Sequence, residues 1–242
     1  FKNSIIFKKN KKIKLRKIDN RITIGLGILV ILVLSYFLLP TFYDKNLVKI
    51  KLKKEISKKY NLDIKFEEEI NYRLFPKPHF FIKNSTIKYD ESNLAKSEYF
   101  KIYISIKNFF LFDKLKIKDL VFKKTQFNID INKIKFFQEV FDTNKSEYNL
   151  NFKDSILFYK NKNDDVIFFT NIDDLNFSYN EKFQSQLNSS YEIFNIPFNL
   201  KIINDTVNKK IITKLDSHKI RLNINNDFNY HEEDINGLLE FE

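Results

Sequence analysis

A run of eighteen residues without a charged side chain, from Ile22 to Leu39, most constrains what this chain can fold into. At about 1.5 Å of rise per residue, the run makes a helix of roughly 27 Å, close to the thickness of a bilayer's hydrocarbon core. Nine Lys and Arg residues precede it within positions 1–21, and Phe42 and Tyr43 follow where an aromatic belt would lie. The run therefore predicts a transmembrane anchor over residues 22–39 rather than a buried helix of a soluble domain.

The charges on either side of the anchor predict its orientation. Residues 1–21 carry a net charge of +8, and residues 44–59 carry +5. A short basic tail normally stays in the cytoplasm, whereas a long following domain crosses the membrane whatever its charge. A cleaved signal peptide is the alternative, but bulky residues follow the run where a cleavage site needs small ones. We expect an uncleaved single-pass anchor with a cytoplasmic tail over residues 1–21 and the rest of the chain outside.

The formal net charge of +11 does not indicate nucleic-acid binding, because of where the charge lies. Residues 60–242 hold 26 basic and 28 acidic side chains, a net charge of −2. The basic excess thus adjoins the bilayer, where each Lys near anionic lipid contributes about 1 kcal/mol. The chain also has no cysteine, which excludes disulfides and thiolate metal sites within it.

The segment 40–61 is predicted to contain a short amphipathic helix that begins after Asp44. Asp44 can cap its first turn, and Asn61 can adopt the left-handed conformation that ends it. Such a helix can lie on the lipid surface or pack its apolar stripe on the first strands of a domain, and we favour packing. The stripe recurs at four-residue spacing, as Val48, Leu52, Ile56 and Tyr60.

After Asn61 the hydrophobic period changes from helical to two, which predicts one antiparallel β domain over residues 62–242. Clusters of Asn and Asp supply the turns, and only Ile134 to Phe141 offers a further short helix. The alternation is clearest in three stretches, namely Phe100 to Lys107, Phe127 to Ile131 and Ile196 to Ile202, and it recurs at Ile220, Leu222 and Ile224.

An aromatic-Pro-x-Pro segment, made of Phe75, Pro76 and Pro78, predicts a corner at a sheet edge. Neither proline can donate a ladder hydrogen bond, and each pushes the residue before it into an extended conformation. An incidental proline turn is the simpler explanation of the segment taken alone. It stands, however, in a fixed order of anchor, amphipathic helix, strand pair, proline corner and two further strands with a turn at Phe109 to Lys114.

This succession resembles the N-terminal region of the AsmA family, which includes TamB-like proteins, over about residues 22–131. Two positions depart from the family pattern: Asp113 stands where glycine is common, and Thr125-Gln126 where proline is common. The resemblance implies an inner-membrane anchor and a periplasmic domain built as a curved antiparallel β-groove. It also implies that phospholipid moves along an apolar inner face toward the outer membrane, in outer-membrane biogenesis.

The predicted groove-lining side chains lie on alternating positions of the strands that the resemblance covers. The competing interpretation is that these one-sided strands form an ordinary packed core. The two differ in their expectation for Ile104→Asp: a groove keeps its fold and loses lipid, whereas a core unfolds. The candidate lipid-groove residues are Phe100, Ile102, Ile104, Ile106, Leu115, Ile117, Phe127, Ile129 and Ile131.

We expect no enzymatic activity, and therefore no catalytic residue, metal or cofactor. The chain contains three histidines (His79, His218 and His231), none at ligand spacing from another, and it has no phosphate-binding glycine loop. The expected partners are the inner membrane, phospholipid and envelope proteins, but no nucleic acid. The alternative function is a membrane-tethered scaffold that captures envelope proteins by β-strand addition.

Overall fold

The computed structural model describes residues 20–89, 92–107, 109, 111–131, 133–136, 148–180, 184–231 and 234–241. The chain divides into two units between Tyr36 and Phe37. Helix α1 runs from Asn20 to Leu38, and none of its residues is buried. Among the described residues, one helical stretch, Asn20–Phe42, is long and apolar enough to cross a membrane, with a mean hydropathy of 2.7. By its length and composition, the predicted anchor is thus a candidate membrane span.

A 3₁₀ turn (Leu39–Phe42) leads to helix α2 (Lys45–Tyr60) and then to strands, with a second 3₁₀ turn at Phe112–Lys114. The strands are β1 (Asp63–Phe66), β2 (Asn71–Arg73), β3 (His79–Tyr89), β4 (Ser92–Ile104), β5 (Ile117–Ile129), β6 (Tyr148–Lys160), β7 (Val166–Tyr179), β8 (Gln184–Ile193), β9 (Ile196–Asp205), β10 (Lys210–Ser217), β11 (Leu222–His231) and β12 (Asp234–Phe241). The mainly β class predicted from the sequence is confirmed. Residues 134–136 are helical, and the rest of the helix expected up to Phe141 lies outside the described residues.

Helix α2 forms as its sequence predicts. The Asp44 carboxylate accepts a hydrogen bond from the Leu47 N–H at 2.8 Å, and Asn61 ends the helix at φ 55°. The predicted stripe is buried on the first strands, because the helix packs against β1 and β5. The Lys59 ammonium donates to the carbonyl oxygen of Ile117 at 3.0 Å, which ties the last turn to β5. Packing on the domain, not on lipid, accounts for the stripe.

The twelve strands of the described chain form one open sheet in the order β1-β3-β4-β5-β6-β7-β8-β9-β10-β11-β12, with β2 also paired to β3. Strands β1 and β2 do not pair with each other, since β1 pairs with residues 85–88 of β3 and β2 with residues 79–81. Most neighbours are antiparallel, as expected, but β5 and β6 are parallel. Eighteen residues, 130–147, separate these two strands, which is enough chain for a parallel crossover.

A line of gaps in the strand pairing crosses β3–β7. Side-chain hydroxyls bond to the backbone beside this line: Ser97 Oγ donates to the Lys123 carbonyl at 3.0 Å, and Thr125 Oγ1 donates to Ser97 Oγ at 3.1 Å. The register is the same on both sides of each gap, so no strand gains an extra residue along this line. The line includes three residues with positive φ, namely Asn84 (48°), Lys124 (52°) and Asp154 (51°).

Candidate functional site

Two rows of side chains run across the strands on one face of the sheet, which we call the apolar face. Residues that are directly opposite on paired strands share a face, so the strand register defines each row. The first row is Phe80, Ile102, Leu120, Leu150, Phe177, Leu187, Ile202, Thr213, Asn226 and Leu239. The second row is Ile82, Phe100, Phe122, Phe152, Leu175, Ser189, Leu200, Leu215 and Ile224.

The two faces of β8–β12 differ sharply in charge. Among the described residues of these strands, the apolar face carries no charged side chain, whereas Lys201, Lys214 and Asp216 lie on the opposite face. Polar side chains on that opposite face bond to one another, and Asn199 Nδ2 donates to Asp216 Oδ2 at 3.1 Å. This sheet therefore presents one uncharged surface and one hydrated surface.

Burial of the apolar face changes from one end of the sheet to the other. Over β3–β7 its members are fully buried, and the rings of Phe100 and Phe122 stack at 4.1 Å between centroids. Helix α2 packs on this half through β1 and β5, and the Phe66 ring of β1 lies against Phe100 with the centroids 6.0 Å apart. From β8 onward Ser189 is buried, the other row members are half-buried, and Leu239 on β12 is exposed. The first half is a closed core, and the second half is an open apolar surface.

The residues predicted to line a groove fall mainly in the covered half. Two of them, Ile106 and Ile131, are exposed and lie just beyond the ends of β4 and β5. Leu115 is buried just before β5. The other predicted residues are all buried: Phe100, Ile102, Ile104, Ile117, Phe127 and Ile129. Their role in lipid binding stays a prediction, and the surface accessible to a ligand lies on other strands.

The proline corner is the turn between the short edge strand β2 and β3. The Phe75–Pro76 peptide bond is cis, Phe75 is exposed, and Pro78 is partly buried. Both prolines lie outside the strands, in keeping with their inability to donate ladder hydrogen bonds. The two positions that depart from the family pattern are also placed: Asp113 is in the second 3₁₀ turn, and Thr125 follows a positive-φ residue inside β5.

Electrostatics on the apolar side favour uncharged groups. Burial raises the pKa of the Tyr191 phenol, whose ring stacks on Phe198 at 5.6 Å on the apolar face of β8 and β9. On the opposite face of β3, burial lowers the pKa of His79, whose Nδ1 lies 2.7 Å from the Lys77 carbonyl oxygen. The Tyr191 phenol is neutral near pH 7 and introduces no charge on the apolar face. The arrangement suits apolar chains rather than ionic substrates.

The sequence prediction missed the residues that make up the open surface. Leu187, Leu200, Ile202, Leu215 and Ile224 all lie on it. Alternation in 196–202 and at Leu222 and Ile224 did mark two of these strands, β9 and β11. The absence of charge at every second position from β8 onward marks these residues as one uncharged face, but it does not show whether that face is covered.

A candidate membrane span followed by one open, curved sheet with an uncharged face defines a class of membrane-anchored β-sheet proteins. The family model described as AsmA family matches residues 14–225. The chain belongs to the AsmA family, as its N-terminal pattern indicated. No curated protein matches the chain at a significant level. Family membership supports a role in the cell envelope of the outer-membrane-biogenesis type.

Proposed function

We propose that this protein is anchored in the inner membrane, projects its β domain into the periplasm, and carries phospholipid toward the outer membrane. Lipid binds on the open apolar face of β8–β12, without any catalytic step. The anchor, the basic tail before it and the family membership support the location.

The observation that carries the proposal is that this open face is apolar and free of charge among its described residues. Each methylene that leaves water for such a surface contributes about 0.8 kcal/mol, so acyl chains bind there without a specific polar pocket. A phospholipid headgroup remains beside the face in water, and this arrangement leaves the lipid mobile along the row.

Photo-crosslinking on one strand tests the proposal. A photo-reactive residue in place of Leu200 lies on the apolar face, and one in place of the adjacent Lys201 lies on the opposite face. We expect a phospholipid adduct from position 200 and none from position 201, detected by mass spectrometry of the chain purified from membranes. Equal labelling at the two positions, or none at either, would contradict lipid binding on this face.

A second candidate function is a scaffold that captures a partner by strand addition. Strand β12 pairs only with β11 in the part of the chain that the structure describes, so its other edge offers backbone donors and acceptors. A stoichiometric protein partner bound to the purified chain, together with the absence of phospholipid, would favour this function over lipid transport.

A further inference from the structure

The chain enters the β unit at Phe37, and the first contacts it makes there define a small surface. The Tyr72 hydroxyl of β2 donates a hydrogen bond to the Phe37 carbonyl oxygen at 2.7 Å. The Phe37 ring lies edge-on to Phe109, with the centroids 6.2 Å apart. Edge strand β2 and the β4–β5 connection therefore both contact a residue near the end of α1.

Four large apolar side chains near these contacts are exposed, each on a short segment between elements. Exposure is 83% for Phe42, 79% for Phe75, 49% for Ile106 and 48% for Leu111. A cavity of about 450 Å³ lies between the segments that carry Phe75 and Ile106, because Pro76 and Ile106 both line it together with Phe37. We call Phe42, Phe75, Ile106 and Leu111 the anchor-proximal surface.

Basic side chains accompany this surface. Lys77 and Lys107 line the same cavity and are themselves exposed, and Lys114 is exposed in the 3₁₀ turn that follows Leu111. Tyr43 adds another aromatic ring beside this surface, and it lies edge-on to Phe112 with the centroids 5.2 Å apart. Aromatic rings at the headgroup level and lysines that extend toward anionic lipid are typical of protein surfaces at a membrane interface.

The covalent chain limits the distance between the anchor-proximal surface and the bilayer. If residues 22–39 cross the bilayer, Phe37 lies at its outer boundary, and side chains within a few ångströms of Phe37 lie at the headgroup level. We propose that the anchor-proximal surface inserts into the outer-leaflet interface of the bilayer that α1 spans. This docking rests on the membrane anchoring in the proposed function, and not on lipid binding by β8–β12.

The bilayer suits this surface better than water does because its exposed apolar side chains lose contact with water on insertion. The lysines stay near the phosphates, where each contributes about 1 kcal/mol beside anionic lipid. Docking of this kind restrains the domain, since its first strands are then attached to the membrane at several loops as well as through the covalent chain.

The absence of tryptophan from the chain allows a direct test of depth. Phe75→Trp places a single indole on the anchor-proximal surface. Phe194→Trp is the matched control, because Phe194 is also an aromatic residue, is 83% exposed and lies in the turn between β8 and β9. Both full chains are placed in nanodiscs of phosphatidylcholine and phosphatidylglycerol, with or without acyl chains brominated near the headgroup.

We expect the indole emission of the Phe75→Trp chain to be blue-shifted and strongly quenched by the brominated lipid, while the emission of the Phe194→Trp chain stays unquenched. Leu111→Trp gives a second probe on the same surface with the same expected loss of emission. Absence of quenching at both anchor-proximal positions, with native circular dichroism, would overturn the proposal. Equal quenching in the Phe194→Trp control would do so as well when Leu200→Asp has removed lipid from the open face.

A further variant separates this proposal from lipid binding on the open face. Leu200→Asp introduces a charge into the apolar face of β9, far along the sheet order from β2–β4. Bilayer docking predicts that Phe75→Trp remains quenched in this background even when lipid adducts at the face are lost. Loss of quenching together with lipid would show that lipid on the β-sheet, not the bilayer, quenched the indole.

Discussion

The Tyr72 hydroxyl donates a hydrogen bond to the carbonyl oxygen of Phe37 across 2.7 Å, between residues 35 positions apart in sequence. Pro40 lies three residues after Phe37 and has no N–H group, so a 3₁₀ hydrogen bond to this carbonyl cannot form. The Tyr72 ring also lies edge-on to Phe80, with centroids 5.6 Å apart. One side chain thus joins the end of α1 to the start of the apolar face.

Removal of this hydroxyl is expected to weaken the domain. Tyr72→Phe keeps the ring against Phe80 but loses the hydrogen bond, so the free energy of unfolding should fall by about 1 kcal/mol. Tyr72→Leu also loses the ring contact and should cost more. Urea denaturation of the three chains in detergent measures the order, and equal stability of wild type and Tyr72→Phe would show that the hydrogen bond contributes nothing.

The same residue predicts a pH dependence. Burial raises the pKa of Tyr72 from its ordinary value of 10.0 to about 12, and the nearby Tyr43 adds to the shift. Below pH 10 both folded and unfolded states keep the proton, and the contribution to stability is complete. Between pH 10 and 12 the unfolded state loses its proton first, so stability should fall as pH rises.

Tyr72→Phe lacks this titration and should lose less stability than wild type between those pH values. Denaturation curves of both chains at pH 9 and at pH 11 compare the two slopes directly. Parallel losses in the two chains would mean that other groups, and not Tyr72, carry the alkaline dependence.

The cap of α2 is a local feature that the sequence predicted correctly, and it can be tested by itself. Asp44→Ala removes the acceptor for the Leu47 N–H and should cost about 1 kcal/mol. Asp44→Asn is the matched control, because Asn caps a helix about as well as Asp, and it should be nearly neutral. Thermal unfolding monitored by circular dichroism ranks the three chains; a loss in Asp44→Asn equal to that in Asp44→Ala would assign the effect to charge.

Local signals explain why the fold was largely predictable. The apolar helix α1, the ends of α2 and strands such as β4 and β9 each depend on neighbouring residues, and these were found from the sequence. Ile220 was an exception: it lies in the β10–β11 turn, where Arg221 has φ 54°, rather than in the strand that alternation predicted. The parallel β5–β6 pair likewise follows from the long connection between these strands, which alternation does not encode.

The distribution of core and open surface could not be predicted in the same way. Alternation marks which residues share a face, but it does not say which part of that face α2 covers. Phe100 and Leu200 lie in the same row of the apolar face, yet one is fully buried and the other is partly exposed. Coverage is decided by tertiary packing of a helix that lies far from β9 in sequence.

Two isoleucines on either side of the end of β4 test this distinction. Ile104 is 4% exposed and Ile106 is 49% exposed, although alternation places them on one face. Because Ile104 is buried, Ile104→Asp should place an unpaired carboxylate in the core and cost several kcal/mol, a large share of a domain's usual 5–15 kcal/mol. When no bilayer covers the anchor-proximal surface, Ile106→Asp keeps its carboxylate in water and should change stability by about 0.5 kcal/mol or less.

Circular dichroism and urea denaturation of the two chains read out this difference. Loss of the β spectrum is expected for Ile104→Asp alone. A folded Ile104→Asp chain that has lost phospholipid would instead assign Ile104 to a lipid-binding groove, as the sequence pattern predicted.

The last prediction uses two adjacent leucines of β12 that lie on opposite faces of the sheet. Leu239 ends the first row of the apolar face, opposite Asn226, and Leu238 lies opposite Asp227 on the hydrated face. Their exposures are close, 54% and 59%, so an aspartate at either position remains in water and the fold should persist in both variants. Only Leu239→Asp places a charge on the proposed lipid path, where it must be desolvated before an acyl chain can pass. We therefore expect phospholipid that co-purifies with the chain to fall in Leu239→Asp and to stay at the wild-type level in Leu238→Asp, as measured by mass spectrometry. Equal lipid in the two variants would mean that β12 lies beyond the lipid-binding surface, and equal loss in both would indicate an effect of charge at the edge strand rather than of the face.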